Sequence, residues 1–277
     1  MGADPALRQW AAEVERPDRE IDLGRAALVL ARVEYADLDI GAYLGRLGEL
    51  AGEAEAGCRK CTDLNLLHRV REYLFAEQGF TGNRADYGDP RNSFLNDVLD
   101  RRLGIPITLS LLLIEVGRQL GLAIEGIGLP GHFVTGVRLG GEQILLDPFN
   151  GGALLTPDLC ADLVARAVGQ RVSLTEADFA PVTKRQLLGR MLRNLKGIYW
   201  QREEWDKAVE IVDRLLVLEP TAGGEWRDRG IALAHLGDFR RGLADWERYL
   251  TDFPNAPDGE KVRGQLRRVR QRLSQLN

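Results

Sequence analysis

Through the first eighty residues the apolar positions recur at helical spacing. Ile21, Leu23, Ala26, Leu28, Leu30 and Val33 form one such pattern, broken around Asp37 to Asp39. Tyr43, Leu44, Leu47 and Leu50 make the stripe of a second helix. Asp63 is placed to cap a third, with Leu64, Leu67, Val70, Tyr73 and Leu74 on one face and an end at Gly79. A polar stretch over 81–89 follows. Asp89-Pro90 then predicts a helix running to Asp100, because proline at a first helical position loses no needed hydrogen bond. Residues 104–150 differ in character. Ile107 to Leu120 is apolar nearly all round, which demands burial on every side, and Gly121 ends it. Three short segments come next, over 124–129, 132–139 and 143–147, with Gly140-Gly141 as a tight turn between the last two. A buried helix followed by antiparallel strands predicts an α+β core.

After a mixed stretch to about Val182 the helical pattern returns with an internal period. Leu192, Leu195, Tyr199, Ala208, Val212, Leu215 and Pro220 resemble the tetratricopeptide consensus. Trp226, Gly230, Leu233, Gly242, Trp246, Tyr249 and Pro254 occupy the corresponding places one period later. The second copy departs at Arg229 and Gly242, where the consensus has leucine and alanine. Two copies are fewer than usually stand alone, so the pair is expected to lean on the preceding domain, with a last helix from Asp258 to Leu276 as a cap. That helix carries Lys261, Arg263, Arg267, Arg268, Arg270 and Arg272. A solvated capping face explains these charges, and a nucleic-acid contact is the weaker alternative.

Composition narrows the picture. The chain has 277 residues, enough for a sizeable core, and its net charge of −4 disfavours nucleic-acid binding driven by overall charge. No window has the apolar length of a membrane span, and the start has neither a signal-peptide core nor a myristoylation pattern, so a cytoplasmic location is expected. Three cysteines argue against a disulfide framework. Cys58 and Cys61 form a C-x-x-C, but no second pair completes a zinc site and the surroundings read as helical. They are taken as ordinary helix-end cysteines. No metal and no cofactor is expected.

The candidate chemistry lies in four runs: Asn92-Ser93-Phe94-Leu95-Asn96, Arg101 to Pro106, Pro130-Gly131-His132-Phe133, and Asp147 to Gly152. With these in this order, the chain closely resembles the SirB-type branch of the transglutaminase-like superfamily, whose members often carry tetratricopeptide repeats behind that domain. Arg190 to Lys196 looks like that branch's junction into the repeats. The resemblance implies a papain-like core. In the wider superfamily a cysteine opens the central helix, whose N-terminus lowers its pKa. A histidine on a following strand takes the proton and an aspartate on the next strand orients the histidine. His132 and Asp147 match those two positions, as the start of one strand and the end of the next. The nucleophile has no match. Counting back along the buried helix reaches Pro106, between Ile105 and Ile107, and proline supplies neither a nucleophilic atom nor an N–H for an oxyanion hole. Thr108, Ser110, Cys58 and Cys61 are the alternatives to it.

The bland alternative is a structural His132–Asp147 pair fixing two turns. Asn92, Asn96, Arg101, Arg102, Pro106 and Asn150 are the candidates to line a cleft around it, although the same residues suit surface, capping and turn roles. The sequence thus predicts an α+β transglutaminase-like domain over 1–180, N-terminal helices included, and an all-α tail over 181–277. The expected function is that of a non-catalytic interaction or regulatory protein, with a protein or peptide partner on the repeat surface. The alternative is a hydrolase or acyl-transferase that uses His132 and Asp147 with an unrecognised nucleophile or an activated water.

Overall fold

A computed structural model describes residues 5–58 and 61–276. The chain divides into two compact units, Arg16–Met191 on one hand and Met1–Glu15 with Leu192–Asn277 on the other, rather than at a single cut near 180. Helix α1 (Pro5–Val14) belongs to the second unit, so the Arg16–Met191 unit begins with α2 (Leu23–Leu30) and α3 (Ile40–Ala56). Asp22 and Asp39 cap these two helices, each side chain accepting a backbone N–H from the first turn. The cap of α4 (Asp63–Arg71) is Thr62, whose hydroxyl accepts from the Asn65 N–H. Asp63 is instead the first helical residue, where its charge suits the positive end of the helix. A π-helical turn over Glu72–Glu77 carries α4 on toward Gly79.

The helix expected from Pro90 to Asp100 is broken in two. Pro90–Ser93 forms a single 3-10 turn, Phe94 is extended, and α5 spans Leu95–Arg101. The break lets Phe94 enter the core, where it is fully buried and meets the Tyr35 ring edge-on at 6.2 Å. Two-residue strands β1 (Thr81–Gly82) and β2 (Leu103–Gly104) pair in parallel and lead into α6 (Pro106–Gln119). Every residue of α6 from Pro106 to Gly117 is buried, as its all-round apolar pattern requires. Its first turn is closed by Thr108, whose hydroxyl accepts the Ile105 N–H at 3.1 Å.

Four antiparallel strands make the main sheet: β3 (Ile124–Ile127), β4 (Val134–Leu139), β5 (Glu142–Asp147) and β6 (Ala153–Leu155), in spatial order β3-β4-β5-β6. Gly140 and Gly141 both adopt positive φ, the backbone that a two-residue hairpin needs, and they fix Leu139 opposite Glu142. Strand β4 starts at Val134, so His132 does not begin a strand; it lies in the turn two residues earlier. Helix α7 (Pro157–Val168), capped by Thr156, closes this end of the unit. Cys160 and Val164 of α7 pack with Ile127, Leu129, Val134 and Leu145 in one buried cluster. Each such side chain contributes about 1.5–3 kcal/mol relative to exposure.

The second unit is all helical. The division between units falls within α8 (Lys184–Gln201). Helices α9 (Trp205–Leu218), α10 (Gly223–His235), α11 (Phe239–Asp252) and α12 (Gly259–Leu276) pack each on the next. The two departures from the repeat consensus have local reasons. Arg229 Nη1 reaches Asp213 at 2.5 Å and its Nε reaches Asp245 at 2.7 Å, so this position holds an ion pair where leucine would pack. A side chain at Gly242 would meet the Gly230 carbonyl at 2.9 Å, so α10 and α11 cross too closely for alanine. Helix α1 packs on α9, where fully buried Trp10 donates from Nε1 to the Arg214 carbonyl at 3.0 Å.

Candidate functional site

The turn that carries His132 is fixed from three sides. Its own backbone closes through the His132 N–H to the Leu129 carbonyl, at 3.2 Å. Arg190, near the middle of α8, donates from Nη2 to the Leu129 and His132 carbonyls at 3.1 and 2.6 Å. Gly131 has φ +68°, and an added Cβ there would lie 2.9 Å from that of Ala167, so the turn can seat itself against the end of α7. Across the hairpin, Asp147 is completely buried at the end of β5. Its Oδ1 accepts the N–H groups of Phe149 and Asn150, making the cap of the 3-10 turn Pro148–Asn150, which packs against α6. Its Oδ2 accepts from the Asn150 side chain.

These two scaffolds bring His132 Nε2 to 3.2 Å from Asp147 Oδ2. The oxygen lies off the line of an N–H bond, so the imidazole has no aligned hydrogen-bond partner among the described residues. Burial alone would raise the Asp147 carboxyl, but the adjacent His132 and the donors of Asn150 outweigh it and hold it below its ordinary value. An ionised Asp147 beside Nε2 favours the tautomer with the proton there, which leaves the Nδ1 lone pair available.

His132 and Asp147 form part of the wall of an open cleft of about 590 Å³. Arg84, Phe149 and Asn150 line one part of it, and Ala153, Leu154 and Leu155 of β6 another. Leu159, Leu163, Arg166 and Ala167 of α7 complete it. Arg84 donates to the Asn150 side-chain oxygen and lies over the Phe149 ring at 5.3 Å. The His132 ring meets Phe149 edge-on at 6.2 Å.

Of the residues singled out from the sequence, the structure gathers His132, Asp147 and Asn150 in this cleft. The others do not line it. Asn92 is fully buried and organises the loop that carries Arg84: its Nδ2 donates to the Asp86 and Tyr87 carbonyls, and its Oδ1 accepts from Asn83. Arg101 pairs with Asp89 at 3.1 Å. Arg102 is the left-handed, exposed end of α5, and its carbonyl accepts the Thr81 N–H. Asn96 is buried with Oδ1 unpartnered. Pro106 is buried as the first residue of α6.

None of the alternatives to the missing cysteine lines the cleft. The Thr108 hydroxyl lies within hydrogen-bonding reach of the Asn92 and Ile105 carbonyls, at 2.7 and 3.1 Å. Ser110 is fully buried, with Oγ unpartnered. Cys58 and Cys61 are not the ordinary helix-end cysteines expected: their Cα atoms lie 5.6 Å apart, within disulfide reach, and the two are joined to each other. Cys160 is buried, and burial together with the charge of Asp147 pushes its thiol up to about 11, so at neutral pH it is not a thiolate. Among the described residues no group of three or more His, Cys, Asp and Glu is arranged to hold a metal ion, and no helix is long and apolar enough to cross a membrane. Arg84 and Arg166 were not visible as site residues in the sequence, and Arg190 stood out only as the start of the junction motif.

Comparison with known proteins agrees with the fold and with the repeats. Residues 41–193 match the family described as the transglutaminase-like superfamily, and residues 195–267 match the tetratricopeptide repeat. A UPF0162 protein of Xylella fastidiosa is 35% identical over 264 residues, 94% of each chain. A UPF0162 protein of Vibrio cholerae is 33% identical over 194 residues, 70% of this chain and 72% of that one. The human F-box only protein 21 is 34% identical over 155 residues, which cover 53% of this chain and 24% of that protein. With a family match over more than half of its length and a relative aligned over 94% of it, the chain belongs to the transglutaminase-like superfamily and, within it, to the UPF0162 proteins.

Proposed function

We propose that this chain is a non-catalytic member of its superfamily, a cytoplasmic interaction or regulatory protein of the SirB type. Its cleft around His132 and Asp147 takes up a ligand or peptide, and its repeats hold a protein partner. The observation that carries the reading is the start of α6. The helix opens on buried Pro106, which has no nucleophilic atom and no N–H to steady an oxyanion. The His132–Asp147 pair then serves to shape a binding site, with Asp147 fixing a turn and His132 presenting an imidazole edge. Repeats of this type supply an extended surface suited to protein partners. Neither role calls for a metal or a cofactor.

A second reading has one specific observation in its favour: the imidazole makes no aligned hydrogen bond, so Nδ1 is free to take a proton from water. A hydrolase using an activated water would exploit that. The two readings separate in a screen of amide, ester and isopeptide substrates with the full chain and its His132→Ala variant. We expect no turnover from either protein. Turnover by the parent chain that disappears in a folded His132→Ala variant would make the protein an enzyme and end the non-catalytic reading.

A further inference from the structure

The cleft is unusual within the molecule in three independent ways. First, its apolar residues are left in solvent. Seven large hydrophobic side chains are exposed among the described residues, and Leu154 and Leu159, each 46% exposed, line the cleft. Tyr87 stands edge-on to its Phe149 at 6.0 Å, and Val168 directly follows its Ala167. Two of the seven thus line one opening, with Tyr87 against the Phe149 of its wall, a pattern that suits a binding surface.

Second, its cations are not ion-paired, Arg84 having only the neutral Asn150 side chain and the Phe149 ring as partners. Arg84 and Arg166 are exposed, and among the described residues no carboxylate pairs with either. The one carboxylate in the lining, Asp147, is buried and already engaged by Asn150 and His132. In a chain of net charge −4 this opening is locally positive. The His132 side chain, 10% exposed and without an aligned partner, adds a polar group that a ligand would satisfy.

Third, the cleft runs along an open sheet edge. Strand β6 is the last in its sheet and pairs only with β5. Among the described residues no other backbone group bonds to Ala153, Leu154 or Leu155. Unpaired edge groups beside exposed leucines form a template for an added strand.

We infer that the ligand of this cleft is an extended acidic peptide that adds to the free edge of β6, sets an apolar side chain against Leu154, Leu159 and Leu163, and holds a carboxylate between Arg84 and Arg166. This deepens the binding role proposed above and rests on it. A small anionic amphiphile would use the leucines and arginines but leave the edge of β6 unpaired. A strand satisfies all three features at once. Because β6 has three residues, the backbone contributes only a few hydrogen bonds, and the charges supply much of the selectivity.

The test uses the full chain and a fluorescein-labelled hexapeptide of alternating valine and glutamate, read by anisotropy. Controls are the valine–lysine counterpart, the same valine–glutamate peptide N-methylated at alternate backbone nitrogens, and decanoate as competitor. The expected result is saturable binding of the acidic peptide. It should weaken about tenfold or more for the lysine peptide, for the N-methylated peptide, and for an Arg84→Ala/Arg166→Ala variant with unchanged circular dichroism and melting. Raising the salt concentration should weaken it as well. No binding of the acidic peptide at millimolar concentration overturns the inference. So does N-methylation without effect alongside efficient displacement by decanoate, which would assign the cleft to a small amphiphile. Peptide recovered from each titration is also analysed by mass spectrometry. Cleavage there would end the non-catalytic reading while leaving the docking geometry in place, so the two failures are distinguishable.

Discussion

The repeat helices and the cleft of the α+β unit treat their charged side chains differently. In the repeat unit Lys196 lies 2.7 Å from Glu225 and 2.9 Å from Asp228, Arg227 lies 2.5 Å from Asp258, and Arg229 bridges Asp213 and Asp245. In the cleft of the α+β unit Arg84 and Arg166 have no carboxylate and His132 has no aligned partner. A charge that helices use to hold each other is spent on the fold, because breaking such a pair leaves a partly buried partner uncompensated. An exposed cation without a carboxylate partner costs little to keep in water and keeps its charge available to a ligand. The difference locates function by what the fold does not need: ion pairs tie the repeat helices together, and open binding chemistry lies in the cleft.

Trp10→Ala probes the structural side with the largest expected effect. Trp10 is fully buried and bonded to the Arg214 carbonyl, so its loss should cost about 3–5 kcal/mol, measured by urea unfolding. A cost below about 1 kcal/mol would mean that α1 is not integral to the repeat unit. Arg229→Met comes next. It should destabilise by about 2–3 kcal/mol because Asp245, only 5% exposed, loses its partner. Adding Asp213→Leu and Asp245→Leu to that variant should restore most of the loss. If the single variant is neutral, the contrast between spent and open charges fails on its structural side.

How far the sequence disclosed these two regions depended on the range of the signal. Helix α6 was legible because all-round apolarity can be satisfied only by burial, and the β4–β5 hairpin because Gly140-Gly141 supplies two positive-φ residues. The His132–Asp147 pair was legible through its motif resemblance. Local rules failed where tertiary demands overrode them. Phe94 is drawn into the core and splits the helix expected after Pro90, and the turn held by Arg190 delays β4 to Val134. Arg84 and Arg166 come from a loop and a helix distant in sequence and share a cleft only after folding. The pairing of α1 with α9 joins residues 204 apart, and no periodicity along the chain signals it.

Asp147→Asn tests the open side through pH. The folded carboxyl lies below its ordinary value, so its contribution to stability is complete above the unfolded value of about 3.9 and is lost as pH falls through the lower folded value. The parent chain should therefore lose stability on acidification through that window more steeply than Asp147→Asn, by at most about 1.4 kcal/mol per pH unit. Unfolding midpoints from pH 6 downward provide the measurement. Parallel acid limbs would show that the His132–Asn150 environment does not stabilise the carboxylate.

The smallest effect is expected at Cys160, where the comparison can be sharpened most. This thiol sits behind the cleft wall, on the same helix as Leu159 and Leu163, close enough to Asp147 to feel its charge. If the cleft were a concealed thiol site, Cys160 would be its nucleophile, and alkylation at pH 7 would be fast and would block ligand uptake. A thiol raised to about 11 and packed among Ile127, Leu129 and Val164 predicts the reverse. Iodoacetamide should label the native chain far more slowly than a model thiol, and labelling should become rapid only on unfolding. Cys160→Ala should cost about 1 kcal/mol, the loss of one small buried group, and leave ligand uptake by the cleft unchanged. Fast native labelling that closes the cleft would move Cys160 from the packed core into the site, and the division between a structural interior and an open, non-catalytic cleft would no longer hold.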